Sequence, residues 1–290
     1  MSTQGEQVTV ARPVSKEGIG LHTGELCRVT LLPAVSDAGI VFVLGSGEAV
    51  PGTADYVVDE ERATALGRGQ ARVRSVEHLL AALYGMQVDN ISVKVEGPEA
   101  PACDGSAREW VDLLRRAGRR RLGAARQVRR LREAVWVGDG NAWAVAAPAR
   151  GGLSLAVGVD YEGTAAGRQA LWIRLSRGEF MRELAPARTF ALREELEALR
   201  AKGMARGGSA ENAFAVGRDG YSGSLRFPDE VVRHKMLDLV GDLALCGERF
   251  EAQVTAVRPS HRMNVELARA LRARFLGERK GRGGGEERQR

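Results

Sequence analysis

One layout occurs twice in this 290-residue chain, and it restricts the fold more than any other feature. A helical pattern over about residues 75–86 leads into the strand-like NISVKVEG (90–97), a turn PEAPACDGS, and a helix from about 106 to 117. A helical pattern over about 229–246 leads likewise into FEAQVTAV (250–257), a turn RPSHRMN, and a helix from about 264 to 276. Further strand candidates are 25–32, 39–44, 134–138, 142–147, 153–159 and 171–175. The expectation is an α+β protein of two similar domains, each a mainly antiparallel sheet packed with two helices. The first domain is expected over 1–125 and the second over 126–276. The basic, glycine-containing stretch 115–130 reads as a helix end running into a linker, and 277–290 as a disordered tail.

A chain that is 44% hydrophobic has enough apolar residues for such cores, and no run approaches the roughly 20 apolar residues of a membrane span. No secretory pattern opens the sequence. Three scattered cysteines without a CxxC pair read as reduced thiols, so the expected compartment is the cytoplasm. The net charge is +6, which favours anionic partners. The arginines are spread along the chain, which argues against nucleic acid. Lysine occurs only at Lys16, Lys94, Lys202, Lys235 and Lys280, so a lysine inside a motif carries weight.

The chemistry starts from RHKMLDLVGDLAL (233–245). Val232, Met236, Leu239, Val240 and Leu243 form one apolar stripe, while His234, Asp238 and Asp242 fall opposite at i, i+4 and i+8. An imidazole and a carboxylate one turn apart can close on a single metal ion. Alternatively, they are a solvated helix face. RSVEHLLAAL (74–83) offers the third ligand, His78, because the residue four positions on is Ala82 rather than a second histidine. His78, His234 and Asp238 would leave Zn²⁺ an open position for water. Glu77 would then be a general base, or simply an acid favoured by the helix N-terminus. His261, in the late loop, could donate a proton to a leaving group with Asp242 orienting it, or could be a surface or capping histidine. Glycines 18, 20 and 24 of GIGLHTG fit no phosphate-loop spacing. His22 there either lines the cleft or supports a turn.

SVEHLLAAL, PACDGSA, GGSAENA, LRFPDEVVRHKMLDLVGDLALCG and GIGLHTG together closely resemble the UDP-3-O-acyl-N-acetylglucosamine deacetylases, from about residue 8 to 276. The resemblance implies a zinc enzyme that removes the N-acetyl group and releases acetate at the committed step of lipid A synthesis. It points to a cytoplasmic enzyme of a Gram-negative bacterium with its active site between two domains. It assigns zinc to His78, His234 and Asp238, the base to Glu77, and the acid to His261 with Asp242 behind it. It gives Thr189 to the tetrahedral oxyanion, Phe190 and Lys235 to the substrate, Asp160 and Tyr161 to the uridine, and Arg258 to the diphosphate. Gly208 and Ser209 would line the acyl-chain passage. Ser260 stands where the family commonly has glycine, and Tyr161 where it commonly has phenylalanine.

Fe²⁺ is the alternative metal for such a ligand set. The expected partner is the UDP-linked acylated amino sugar, with no nucleic acid, no membrane span, peripheral contact with the inner membrane, and a monomeric state. Two other functions stay open on the sequence: a zinc amidohydrolase for another N-acyl sugar, and a non-catalytic basic metal-binding protein.

Overall fold

The structure, a computed structural model, describes the backbone of residues 2–283 and the side chains of residues 5–277. The chain opens with strands β1 (Ser2–Val10), β2 (Val14–Ile19), β3 (Leu26–Pro33), β4 (Ile40–Val43) and β5 (Ala49–Pro51). Next come β6 (Val57–Asp59), β7 (Ala65–Arg68), β8 (Ala71–Val73), helix α1 (Glu77–Gly85), β9 (Ile91–Glu96) and helix α2 (Arg108–Ala117). β10 (Arg119–Arg130), β11 (Val135–Asp139), β12 (Ala142–Ala147), β13 (Leu153–Tyr161) and β14 (Gly167–Arg174) follow. A short helix α3 (Arg177–Glu179), β15 (Thr189–Leu192), α4 (Leu196–Ala201) and β16 (Ala213–Val216) lead to α5 (Glu230–Ala244), β17 (Arg249–Val257) and α6 (His261–Gly283).

The class is α+β, as expected. A five-stranded sheet runs β2-β3-β9-β4-β5, and a seven-stranded sheet contains β1-β10-β17-β12-β11 with β13 and β14 alongside. Most pairings are antiparallel; β4–β9, β10–β17 and β13–β17 are parallel. The three-stranded sheet β6-β7-β8 and the parallel pair β15-β16 are additions to this plan.

Two expectations change. The stretch read as a linker is β10, which pairs antiparallel with β1 and parallel with β17. Its exposed arginines hide the strand from a hydrophobicity reading, because only Val128 and Arg129 of the twelve residues are buried. The expected boundary at 125 therefore falls inside a strand, and the N-terminal β1 joins the sheet formed by the second half of the chain. The tail expected from 277 begins within α6, which continues to Gly283; 284–290 lie outside the described residues.

The core gathers where helices meet. α1 packs on α5, and α5 packs on α6 and on β13 and β14. The side of α5 opposite its apolar stripe faces α1 rather than solvent: His234, Asp238 and Asp242 are all buried. Gly241 makes this approach possible, since a Cβ there would overlap the Glu77 carbonyl. Asp89, just beyond α1, accepts hydrogen bonds from Val8 N, Arg126 and Arg249, tying α1 to β1, β10 and β17.

Candidate active site

Burial of α5 against α1 places three metal-binding groups together. One ligand atom from each of His78, His234 and Asp238 lies within 4.8 Å of the other two. The two imidazoles are edge to face, with ring centroids 5.0 Å apart. His234 Nδ1 is 3.1 Å from the Ala187 carbonyl, which fixes Nδ1 as the donor and leaves the Nε2 lone pair facing Asp238. Burial pushes His234 down to about 4, so this imidazole is neutral at physiological pH.

Asp238 supplies the fit test for a metal. Its Oδ2 accepts from Lys235 Nζ at 2.8 Å, but its Oδ1 is buried with no hydrogen-bond partner. The imidazole Nε2 atoms lie 3.5 Å (His78) and 3.3 Å (His234) from that oxygen without bonding it. A buried carboxylate oxygen left without a donor costs about 1–3 kcal/mol or more. Burial opposes its charge, yet His234, Lys235 and His261 hold the Asp238 carboxyl well below the usual carboxylate range. An anionic oxygen facing two imidazole nitrogens is the donor set of a divalent cation.

Glu77 begins α1, as the helix-start acid would, but it is only 5% exposed and lines the cavity. The backbone N–H of Thr64 donates to Glu77 Oε2 at 3.0 Å. Burial raises the Glu77 carboxyl above its ordinary value, against the pull of His261 and His78. The helix start is steadied from outside: Ser75 Oγ donates to the fully buried Glu99, which also accepts from the backbone of His22 and Thr23. GIGLHTG is thus strapped beside α1, and His22 lines the cavity with its Nδ1 unpartnered.

His261 is the first residue of α6, not a loop residue before a later helix. Ser260 Oγ accepts from Met263 N at 3.3 Å, so the serine found in place of glycine caps the helix. His261 Nδ1 lies 2.8 Å from Asp242 Oδ2. Asp242 also accepts from Thr64 Oγ1 at 2.6 Å and Asn264 Nδ2 at 3.0 Å. Burial alone would lower His261, but Asp242, with Asp238 and Glu77 nearby, raises it to about 9.

These groups open into one cavity of about 360 Å³, lined among others by His22, Glu77, His78, Tyr161, Thr189, Phe190, His234, Lys235 and His261. Phe190 lies edge-on to both Tyr161 and His234, at centroid distances of 5.6 and 6.1 Å. A neighbouring hollow of about 380 Å³ is lined by Asp160, Tyr161 and Arg258; Arg258 pairs with Asp160 at 2.7 Å. Tyr161, Leu192 and Pro259 line both spaces. Gly208 and Ser209 are not among the residues lining either space; their segment packs on the GIGLHTG loop through Gly207 and Arg206.

The sequence reading missed Thr64, whose N–H and hydroxyl bridge Glu77 and Asp242, and Asn264, whose side-chain amide donates to Asp242. It also missed Arg62, Glu195 and Arg262 in the cavity wall. No local pattern marks them, because each is defined by contacts more than ten residues away in sequence.

Residues 7–273 match the family model described as UDP-3-O-acyl N-acetylglycosamine deacetylase. The chain is 42% identical over 272 residues to the UDP-3-O-acyl-N-acetylglucosamine deacetylase of Anaeromyxobacter dehalogenans, covering 92% of this chain and 87% of that one. It is 41% identical to the protein of that name from Myxococcus xanthus, over 91% and 86% of the two chains. The Thermosynechococcus vestitus protein of the same name is also 41% identical, over 91% and 93%.

Proposed function

The chain belongs to the UDP-3-O-acyl N-acetylglycosamine deacetylase family, and from that premise we propose how its residues divide the work. It hydrolyses the N-acetyl group of UDP-3-O-acyl-N-acetylglucosamine in lipid A biosynthesis. The observation that carries the assignment of roles is that the His78–His234–Asp238 cluster, Glu77 and the Asp242-paired His261 all line one cavity.

His78, His234 and Asp238 would hold the metal, zinc in our reading with Fe²⁺ as the alternative. When bound there, it lowers the pKa of water and polarises a carbonyl oxygen. Glu77, raised by burial toward the range of a working base, takes the proton of the attacking water. The Thr189 hydroxyl serves the oxygen on which charge develops, and Lys235, in the same cavity wall, contacts the substrate. His261, kept protonated by Asp242, delivers its proton to the glucosamine nitrogen as the C–N bond breaks and acetate leaves. The sugar rests against Phe190.

The hollow beside Asp160, Tyr161 and Arg258 takes the uridine and diphosphate, with Arg258 released from Asp160 toward phosphate oxygens. The acyl chain leaves past the segment of Gly208 and Ser209, which lies outside both spaces against the GIGLHTG loop. Among the described residues no helix is long and apolar enough to cross a membrane. The enzyme works as a cytoplasmic monomer that touches the inner membrane surface, where an acylated substrate partitions. A panel of N-acetylated sugars, with and without the UDP and acyl groups, tests this. Turnover should fall steeply when either group is removed. Equal turnover of plain N-acetylglucosamine would point instead to a general N-acyl-sugar hydrolase.

A further inference from the structure

The seven-stranded sheet has two unlike faces. α5 and α6 cover the inner one. On the outer one, the pairing register aligns Trp136, Val145, Thr255, Ala156 and Trp172 in a single row across β11, β12, β17, β13 and β14. The next row, through Trp143 and Val257, is equally free of charge. Trp136 and Trp172 are 63% and 60% exposed, while the chain's remaining tryptophan, Trp110, is buried.

The outer face of the five-stranded sheet is different, although Ile19 and Leu26 are exposed at one end of it. It carries Glu17, Arg28 and Glu96 in one row, with Ser15, Thr30 and Lys94 in the next. Arg28 pairs with Glu17 and Lys94 with Glu96. The two tryptophan rows carry no ion pair; on this face of β13 and β14 the charges begin one row further on, where Arg168 pairs with Asp160.

We propose that this face docks on an anionic phospholipid surface. Indole rings favour the boundary between lipid and water, where an apolar body and a polar N–H are both satisfied. Charge complementarity selects the lipid. Arg174 ends β14, and Arg132 and Arg150 sit in the loops 131–134 and 148–152. All three therefore stand at one end of the same sheet. Among the described residues none of the three is in an ion pair, and Arg174 donates only to the Gly151 carbonyl, so their charge is left unneutralised for phosphate headgroups. β13 and β17 run from that end toward the catalytic cavity, which Tyr161 and Pro259 line. The inference leans on the proposed function in one respect only: an acylated substrate gives lipid contact a purpose.

Sedimentation with vesicles of phosphatidylcholine containing one quarter phosphatidylglycerol tests it, with pure phosphatidylcholine vesicles as control. The full chain should bind the anionic vesicles and only weakly the neutral ones. Trp136→Ser with Trp172→Ser should weaken binding by about tenfold or more. Each of Arg132→Gln, Arg150→Gln and Arg174→Gln should weaken it by about fivefold. Deacetylation of a short-chain, freely dissolved substrate should be unchanged in all of these variants, which keeps this test separate from the assignment of catalytic roles. Tryptophan quenching by brominated phosphatidylcholine in the unaltered protein gives a readout that needs no variant. Absence of vesicle binding, binding indifferent to the tryptophans, or a dimer in solution that the tryptophan substitutions dissociate would overturn the proposal.

Discussion

Gly241 of α5 lies so close to Glu77 of α1 that a Cβ on the glycine would overlap the glutamate's carbonyl oxygen and carbon. The contact sets the distance between the helix that carries the base and His78 and the helix that carries His234 and Asp238. Gly241→Ala gains helix propensity of about 1 kcal/mol but must force the helices apart. We expect a net loss of about 1–3 kcal/mol in denaturant unfolding. Metal affinity should fall as well, since the ligands sit on the two separated helices. An alanine variant with full stability and full metal content would show that the approach is not needed.

Glu77→Gln and His261→Gln should each lower turnover by about 10² to 10⁴. Metal content should stay at the level of the unaltered protein, because neither residue is in the cluster of His78, His234 and Asp238. Unchanged turnover in Glu77→Gln would remove it as the base.

The pH profile of kcat/KM should be bell-shaped. Glu77 acts as a carboxylate with a raised pKa, so activity falls as pH drops through that value. His261 acts as an imidazolium raised to about 9, so its acid form persists through neutrality and is lost as pH rises through its pKa. A cation held by Asp238 takes part of that carboxylate's field away from His261, so the basic limb of the loaded enzyme falls below 9. Asp242→Asn removes the strongest contribution that raises His261, and the basic limb should move to lower pH. A basic limb that stays in place would break the link between Asp242 and the acid.

Arg188 and Glu230 form a buried pair, with Nε–Oε1 at 2.9 Å and Nη2–Oε2 at 3.1 Å. Glu230 also accepts from the backbone of Arg188 and Arg226, next to Thr189 and the start of α5. Arg188→Met leaves the carboxylate buried without its cation and should cost about 3–5 kcal/mol in chemical denaturation. A loss below about 1 kcal/mol would mean that water reaches Glu230.

The parts of this molecule legible in its sequence are those written in local periodicity. The spacing of His234, Asp238 and Asp242 against an apolar stripe placed them on one side of a helix, and that helix is there. The strands around 91–96 and 249–257 follow from alternation. β10 was not legible, because its partners β1 and β17 lie far off in the chain and half of its residues are arginines, most of them exposed. Thr64 was illegible for a related reason: a threonine just before a short strand says nothing until Glu77 of α1 and Asp242 of α5 arrive beside it. The start of α6 turned on one hydroxyl: Ser260 caps the helix at His261, where the turn RPSHRMN had been expected to run on to about 264.

The central claim is that His78, His234 and Asp238 hold one catalytic cation between α1 and α5. The most direct test measures bound metal and deacetylation of UDP-3-O-acyl-N-acetylglucosamine in the same samples, after chelation and after stepwise return of zinc. The prediction is loss of activity with the metal and recovery that saturates at about one ion per chain, with His234→Ala failing to recover either. Full turnover by chelated, metal-free protein, or undiminished metal in His234→Ala, would contradict it.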